Sequence, residues 1–195
     1  MNAVLIGASD RSSLWRHGTL DEQDYDRFVS EYAHFLKDHF ENVIITPDDG
    51  VYTDIADAFS DLTGRKAIAF YPDADTKYGI QHIEHNLRKY DSRPIGGDWY
   101  TLNADLTAKA PVVLVFGFTP GVLIELAYVK YHQKYGANIN PALKDVSVLI
   151  DERCIEGRLP SAVEEQIKNM HYYKEMEGLR ALLENVYDTG QFPLK

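Results

Sequence analysis

The sequence predicts a three-layer α/β sandwich, a Rossmann-like parallel sheet covered by helices on both faces. Two observations predict it. Apolar runs of strand length alternate with amphipathic stretches of helix length, an order that implies parallel pairing through right-handed crossovers. The runs are also continuous rather than alternating, as expected of strands buried on both faces. The 195 residues suit one domain, with a core over about residues 1–150 and a helical segment over 151–195. No linker or internal repeat divides them.

Each element has its own warrant. Ala3-Val4-Leu5-Ile6 is an apolar run stopped by Gly7-Ala8-Ser9, a buried strand ending in a small-residue turn. Asp21 to Asp38 carries Tyr25, Phe28, Val29, Tyr32, Phe35 and Leu36 on one helical stripe. Val43-Ile44-Ile45 is a second strand, closed by Thr46-Pro47-Asp48-Asp49-Gly50. Val51 to Leu62 fits a helix that Thr63-Gly64 ends. Ala67 to Tyr71 is a third strand, stopped by Pro72. Asp73 to Gly97 is polar and irregular, with one short helix around Ile80 to Leu87. Trp99 to Ala108 is helical in pattern, and Val112 to Phe116 is the most apolar strand. Gly121 to Tyr135 is a helix and Val146 to Ile150 a fifth strand. Ser161 to Tyr187 is helical, broken near Met170 to Tyr173 or running through. About five strands are therefore expected.

Composition excludes several function classes. An apolar share of 45% and a charged share of 26% belong to a globular chain, not a disordered one. Twenty basic against thirty acidic residues give a formal net charge of −10, a surface that repels nucleic acid and anionic membranes. The single cysteine, Cys154, has no partner for a disulfide and no metal-ligand spacing. No secretory leader and no run of membrane-spanning length is visible, so a cytoplasmic location is expected. No cofactor or metal is expected.

In an open parallel sheet, ligands bind beyond the carboxyl ends of the strands. Gly117-Phe118-Thr119-Pro120-Gly121 is the most informative loop there. It joins the strongest strand to a helix, with Thr119 as N-cap and Pro120 at the first helical position. Backbone N–H groups up to Val122 and the positive helix end then suit a phosphate; the alternative is a capped helix with no ligand. Glu125, one turn on, is either a partly buried acid with a raised pKa or part of a solvent-facing stripe with Gly121, Tyr128 and His132. Spacing alone favours the solvated stripe. Gly7, Ala8 and Ser9, with Arg11 and Arg16 close behind, form a second candidate phosphate turn, without a GxGxxG or Walker-A pattern. Asp48, Asp49, Asp54 and Asp57 read as a solvated turn and helix start rather than a magnesium site. His82 and His85 flank Glu84 but lack a third metal ligand.

Read together, these loops resemble the Lonely Guy family, Rossmann-like proteins also called lysine decarboxylase-like. That family carries P-G-G-x-G-T-x-x-E between a strand and a helix. Here Gly117 to Glu125 corresponds: Gly121 falls on the glycine before the family's threonine, and Glu125 on its catalytic glutamate. Phe118 and Thr119 replace the paired glycines, and Val122 replaces the threonine. Asp48 to Ala56, with Gly50, resembles the G-G-x-x-G-V-M-x-A-v-A stretch. Gly64 to Pro72 resembles G-G-x-V-I-G-i-x-P, and Leu102 to Asp105 the segment before the motif strand. The likeness runs from Ala3 to Ile150.

The resemblance implies hydrolysis of the N-glycosidic bond of nucleoside 5′-monophosphates, with Glu125 catalytic. The family's arginine falls near Pro94 to Trp99, where no residue is basic, and Arg93 is the nearest candidate. A wider group of similar domains binds nucleotide-derived ligands as sensors, and nucleoside deoxyribosyltransferases are a second relative by pattern. The partner implied is a small nucleotide or sugar phosphate. A homodimer is also expected, formed through the apolar C-terminal stretch Met170 to Tyr187, unless that stretch covers a sheet face.

Overall fold

The computed structural model describes residues 1–73, 83–138 and 140–188. Among these, seven strands form one sheet: β1 (Asn2–Gly7), β2 (Asn42–Ile45), β3 (Ile68–Pro72), β4 (Asp91–Ile95), β5 (Val112–Phe116), β6 (Ser147–Asp151) and β7 (Met170–Tyr173). Their order is β4-β3-β2-β1-β5-β6-β7, and every pairing is parallel. The order reverses between β1 and β5, which pair from Ala3↔Val112 to Gly7↔Phe116. That reversal is the switch point at which an α/β sheet opens a crevice.

The helices are α1 (Ser12–His17), α2 (Tyr25–His39), α3 (Val51–Thr63), α4 (Glu84–Leu87), α5 (Trp99–Leu106), α6 (Pro120–Tyr135), α7 (Ser161–Glu164) and α8 (Met176–Asp188). The continuous apolar strands have two faces to fill, and two cores fill them. Val112, Leu114 and Phe116 point into a core with Phe28, Tyr32 and Phe35 of α2, Ile55 and Phe59 of α3, and Leu179 and Leu183 of α8. Val113 and Val115 point the other way, to Leu106 of α5 and Val122, Leu126 and Val129 of α6. Each such buried side chain contributes about 1.5–3 kcal/mol. The Phe116 ring meets Tyr32 edge-on at 4.7 Å and Phe28 at 6.1 Å.

Gly64 ends α3 at φ +69°, a left-handed cap that glycine adopts without a Cβ clash. No described helix is long and apolar enough to cross a membrane.

Three expectations need correction. The strand count rises from about five to seven, because β4 lies in the segment read as irregular and β7 at the break near Met170 to Tyr173 that the helical reading left open. Residues 151–188 carry the expected C-terminal helices, α7 and α8, but a strand, β7, stands between them and joins the sheet beside β6. The turn after β1 also contains a short helix, α1. Part of the short helix expected around Ile80 to Leu87 lies outside the described residues; what is described is α4.

Candidate functional site

A cavity of about 340 Å3 opens at the carboxyl ends of β1, β2 and β5. Ile6, Gly7 and Ser9 come from the end of β1 and its turn, and Thr46 and Asp48 from the turn after β2. Tyr52 comes from α3, Trp99 and Asn103 from α5, and Thr119 to Val122 with Glu125 from α6 and its cap.

Backbone contacts hold these loops together. The Ala8 N–H donates to the Phe116 carbonyl at 2.9 Å, and the Val51 N–H to the Ala8 carbonyl at 3.1 Å. Glycine permits the approach. A Cβ on Gly7 would lie 2.5 Å from the Phe116 carbonyl oxygen, and one on Gly50 would lie 2.7 Å from that of Ala8. Gly117 turns the chain out of β5 at φ +102°. Gly7, Ser9, Thr119, Pro120, Gly121, Val122 and Glu125 line the cavity, while Ala8, Gly50, Gly117 and Phe118 stand in the same turns without lining it.

Thr119 caps α6, its Oγ1 accepting from the Val122 N–H at 3.2 Å, and its carbonyl accepts from the Leu123 N–H at 2.9 Å. Pro120 has no N–H. The first turn therefore offers one free backbone donor toward the cavity, at Gly121, fewer than a bare helix end presents.

Glu125 does not lie on a solvated stripe. It is 7% exposed. The face it shares with Tyr128 and His132 turns toward α5, where His132 Nε2 donates to the Ala104 carbonyl at 2.7 Å. The exposed face of α6 is instead Leu123, Ile124, Ala127, Tyr131 and Tyr135. No described residue donates a hydrogen bond to the Glu125 carboxyl, and burial alone pushes its pKa up to about 8. Burial, and secondarily the Asp48 charge, also push the Tyr52 phenol up.

No Lys, Arg or His is among the described residues that line the cavity. Arg11 is held by Asp54, with Nη2 2.6 Å from Oδ1 and Nε on Oδ2, and the Tyr25 hydroxyl donates to the same carboxylate at 2.5 Å. Arg93 stands on edge strand β4 and pairs with Asp91 at 2.5 Å. Of the other acidic residues, Asp49 accepts from Asn86 at 3.0 Å and Asp57 from Tyr90 at 2.7 Å. Only Asp48 of that cluster lines the cavity. His82 lies outside the described residues, and among those described no three His, Cys, Asp or Glu side chains form a metal-binding group. Thr46 lies in a strand-end loop, Thr46 to Val51, that the ligand rule for parallel sheets marks, whereas Tyr52, Trp99 and Asn103 were not singled out from sequence. Trp99 and Asn103 sit one turn apart on α5, which would have marked them as sharing a face.

No family model matches the chain, and no curated protein matches it. Its likenesses are to solved structures. The protein TM1055 superposes with a TM-score of 0.62 at 15% identity, covering 94% of this chain and 98% of its own. The molybdenum cofactor carrier protein of Chlamydomonas reinhardtii gives 0.61 at 14%, covering 96% and 98%. The molybdenum cofactor binding protein of the phototrophic bacterium Rippkaea orientalis gives 0.57 at 11%, covering 95% and 96%. At these identities the likeness is one of fold, and the fold is Rossmann-like α/β.

Proposed function

We propose that the chain is a binding protein for a phosphorylated, ring-bearing small molecule of nucleotide type, held at the β1–β5 crevice without turnover. The observation that carries this reading is Glu125, an acid buried in the cavity wall with no donor among the described residues. An unpaired buried acid costs stability, and a ligand hydroxyl or amine would supply its missing partner. The phosphate would take the Gly121 N–H and the Ser9 turn at the positive end of α6. The Trp99 and Tyr52 rings offer a ring its apolar contact, and Asp48 and Asn103 offer hydrogen bonds. Two of the structural neighbours are named for carrying or binding the molybdenum cofactor, which supports a carrier or sensor role over catalysis.

Thermal shift against nucleoside monophosphates, cyclic nucleotides, sugar phosphates and a pterin tests the reading. At least one member should raise the melting temperature by linkage. No shift with any member at millimolar concentration would overturn it.

N-glycosidic hydrolysis is the second reading, favoured by the same side chain. Burial pushes the Glu125 pKa up to about 8, so at neutral pH it is held protonated and suited to give a proton to a departing base, and the carboxylate left behind takes up the proton of the water that attacks C1′. That state opposes a deoxyribosyltransferase mechanism, whose nucleophile must be ionised. Free base released by wild type and lost in Glu125→Gln would establish hydrolysis. Binding without release supports the carrier.

The dimer expectation moves to a new surface. Leu179 and Leu183 of α8 are fully buried against the sheet, so the C-terminal helix covers a sheet face. The exposed apolar stripe runs along α6, from Leu123 and Ile124 at one end to Tyr131 and Tyr135 at the other. Antiparallel packing of two α6 helices about a two-fold axis sets each end against the opposite end of the other copy, a self-complementary contact. Sedimentation should give twice the 22.2 kDa chain mass at micromolar concentration, and Tyr131→Glu with Tyr135→Glu should return it to monomer. A wild-type monomer under those conditions sinks the dimer.

A further inference from the structure

The same edge of the sheet holds a second cavity, of about 400 Å3, at the carboxyl ends of β6 and β7. Its charge is opposite to that of the first. Arg153, Arg158 and Lys174 line it, with Glu152 the one acidic side chain among the described lining residues. Arg153 is committed to the fold: its Nη2 lies 2.7 Å from Oδ2 of the fully buried Asp151. The other two cations share a single carboxylate. Arg158 Nη2 stands 3.1 Å from Glu152 Oε1, and Lys174 Nζ stands 3.7 Å from Oε2.

Arg153 is held separately, by Asp151 and by Glu31 at 3.6 Å, so between Arg158 and Lys174 two cations face one carboxylate. Two further features suit a ligand. The Arg158 guanidinium lies over the Tyr172 ring at 4.6 Å, a cation–π contact that holds it at the cavity. The carboxyl ends of parallel strands are also where α/β sheets bind ligands.

We propose that this cavity is an anion site taking a small phosphate-type dianion between Arg158 and Lys174, with the Glu152 carboxylate as the group it displaces. A dianion balances both cations, which the single charge of Glu152 does not. Arg158 also presents a planar donor fork that matches phosphate oxygens. The ligand chemistry is the phosphate group, whether of inorganic phosphate or of a phosphate monoester. The site is independent of the first cavity and of what that cavity binds.

The test is an NMR titration of the full chain at low salt with inorganic phosphate, and separately with ribose 5-phosphate, against sodium chloride of matched ionic strength. The Thr19, Gly157 and Lys174 amides should shift and saturate. Equal affinities would identify the phosphate group alone as the determinant, and tighter ribose 5-phosphate binding would add the sugar. Arg158 and Lys174 are largely exposed, so Arg158→Ala and Lys174→Ala leave the fold intact and should abolish saturation. Glu152→Gln removes the internal competitor and should tighten binding by about fivefold, the scale of one exposed ion pair. Shifts no larger than those with sodium chloride would overturn the proposal, as would Glu152→Gln binding no tighter than wild type. Shifts confined to the Gly7 and Gly121 amides would overturn it too, and would assign the phosphate to the first cavity.

Discussion

Replacing Asp151 with alanine is expected to cost about 3–5 kcal/mol of folding stability, which is roughly 10 °C of melting temperature for a chain of this length. Asp151 closes β6 and is fully buried. Its carboxylate accepts from the Tyr32 hydroxyl at 2.5 Å, from the Arg153 backbone N–H at 2.8 Å and from the Arg153 guanidinium at 2.7 Å. Tyr32 in turn shares a 2.6 Å hydrogen bond with Tyr173. This cluster ties α2 to β6 and β7, elements distant in sequence.

Alanine would leave a guanidinium only 22% exposed without its main partner, with Glu31 at 3.6 Å the remaining carboxylate. Tyr32→Phe keeps the ion pair and removes only the hydroxyl link, so about 1–3 kcal/mol is expected. Urea unfolding of the two variants checks the ranking. A loss below about 1 kcal/mol for Asp151→Ala would mean that the pair behaves like a surface one.

That cluster also shows where sequence reading stops. The central strands β1, β5 and β6 were legible because burial on both faces demands unbroken apolar runs, and Val112 to Phe116 satisfies that demand at every position. The edge strands were not. Asp91-Ser92-Arg93-Pro94-Ile95 is polar and carries a proline, tolerated because an edge strand pairs on one side only. Met170 to Tyr173 stood out only as a place where the helical pattern breaks or runs through, and four residues are too few for periodicity to identify the break as a strand. Both strands are defined by backbone pairing to a neighbour, which no local pattern records.

At the site, the α6 cap was legible from Thr119 and Pro120, because capping is a local chemistry. The side of α6 on which Glu125 is buried was not. The usual rule places polar residues outward, yet here Glu125, Tyr128 and His132 turn inward while Leu123, Ile124 and Tyr131 face out. An inverted helix face is expected where one side builds a polar cavity and the other is apolar surface. Arg11 illustrates the second limit. Its place near the first turn was readable, but the capture of its guanidinium by Asp54, 43 residues away, is a tertiary fact.

Between about pH 4.5 and 8, folding stability is expected to fall as pH rises, and Glu125→Gln should remove that part of the slope. In the unfolded chain the Glu125 carboxyl ionises near its ordinary value of 4.5, whereas burial holds it protonated in the native state up to about 8. Across this window the native state binds a proton that the unfolded state has released. Each pH unit therefore removes up to about 1.4 kcal/mol, on the order of 5 kcal/mol in all. Above about 8 both states are ionised and the effect is complete. Glutamine keeps the shape without a titrating group, so the variant should match wild type near pH 4.5 and exceed it by several kcal/mol at pH 9. Urea unfolding of both proteins at pH 5, 7 and 9 measures the difference, in which distant groups cancel. Tyr52, which shares the cavity, is the group that couples to it. Parallel slopes would show that the carboxyl ionises normally and would remove the physical basis for a protonated acid in the cavity. A stabilised variant that has lost ligand binding would instead show that the buried acid persists, at a cost to the fold, because the ligand needs it.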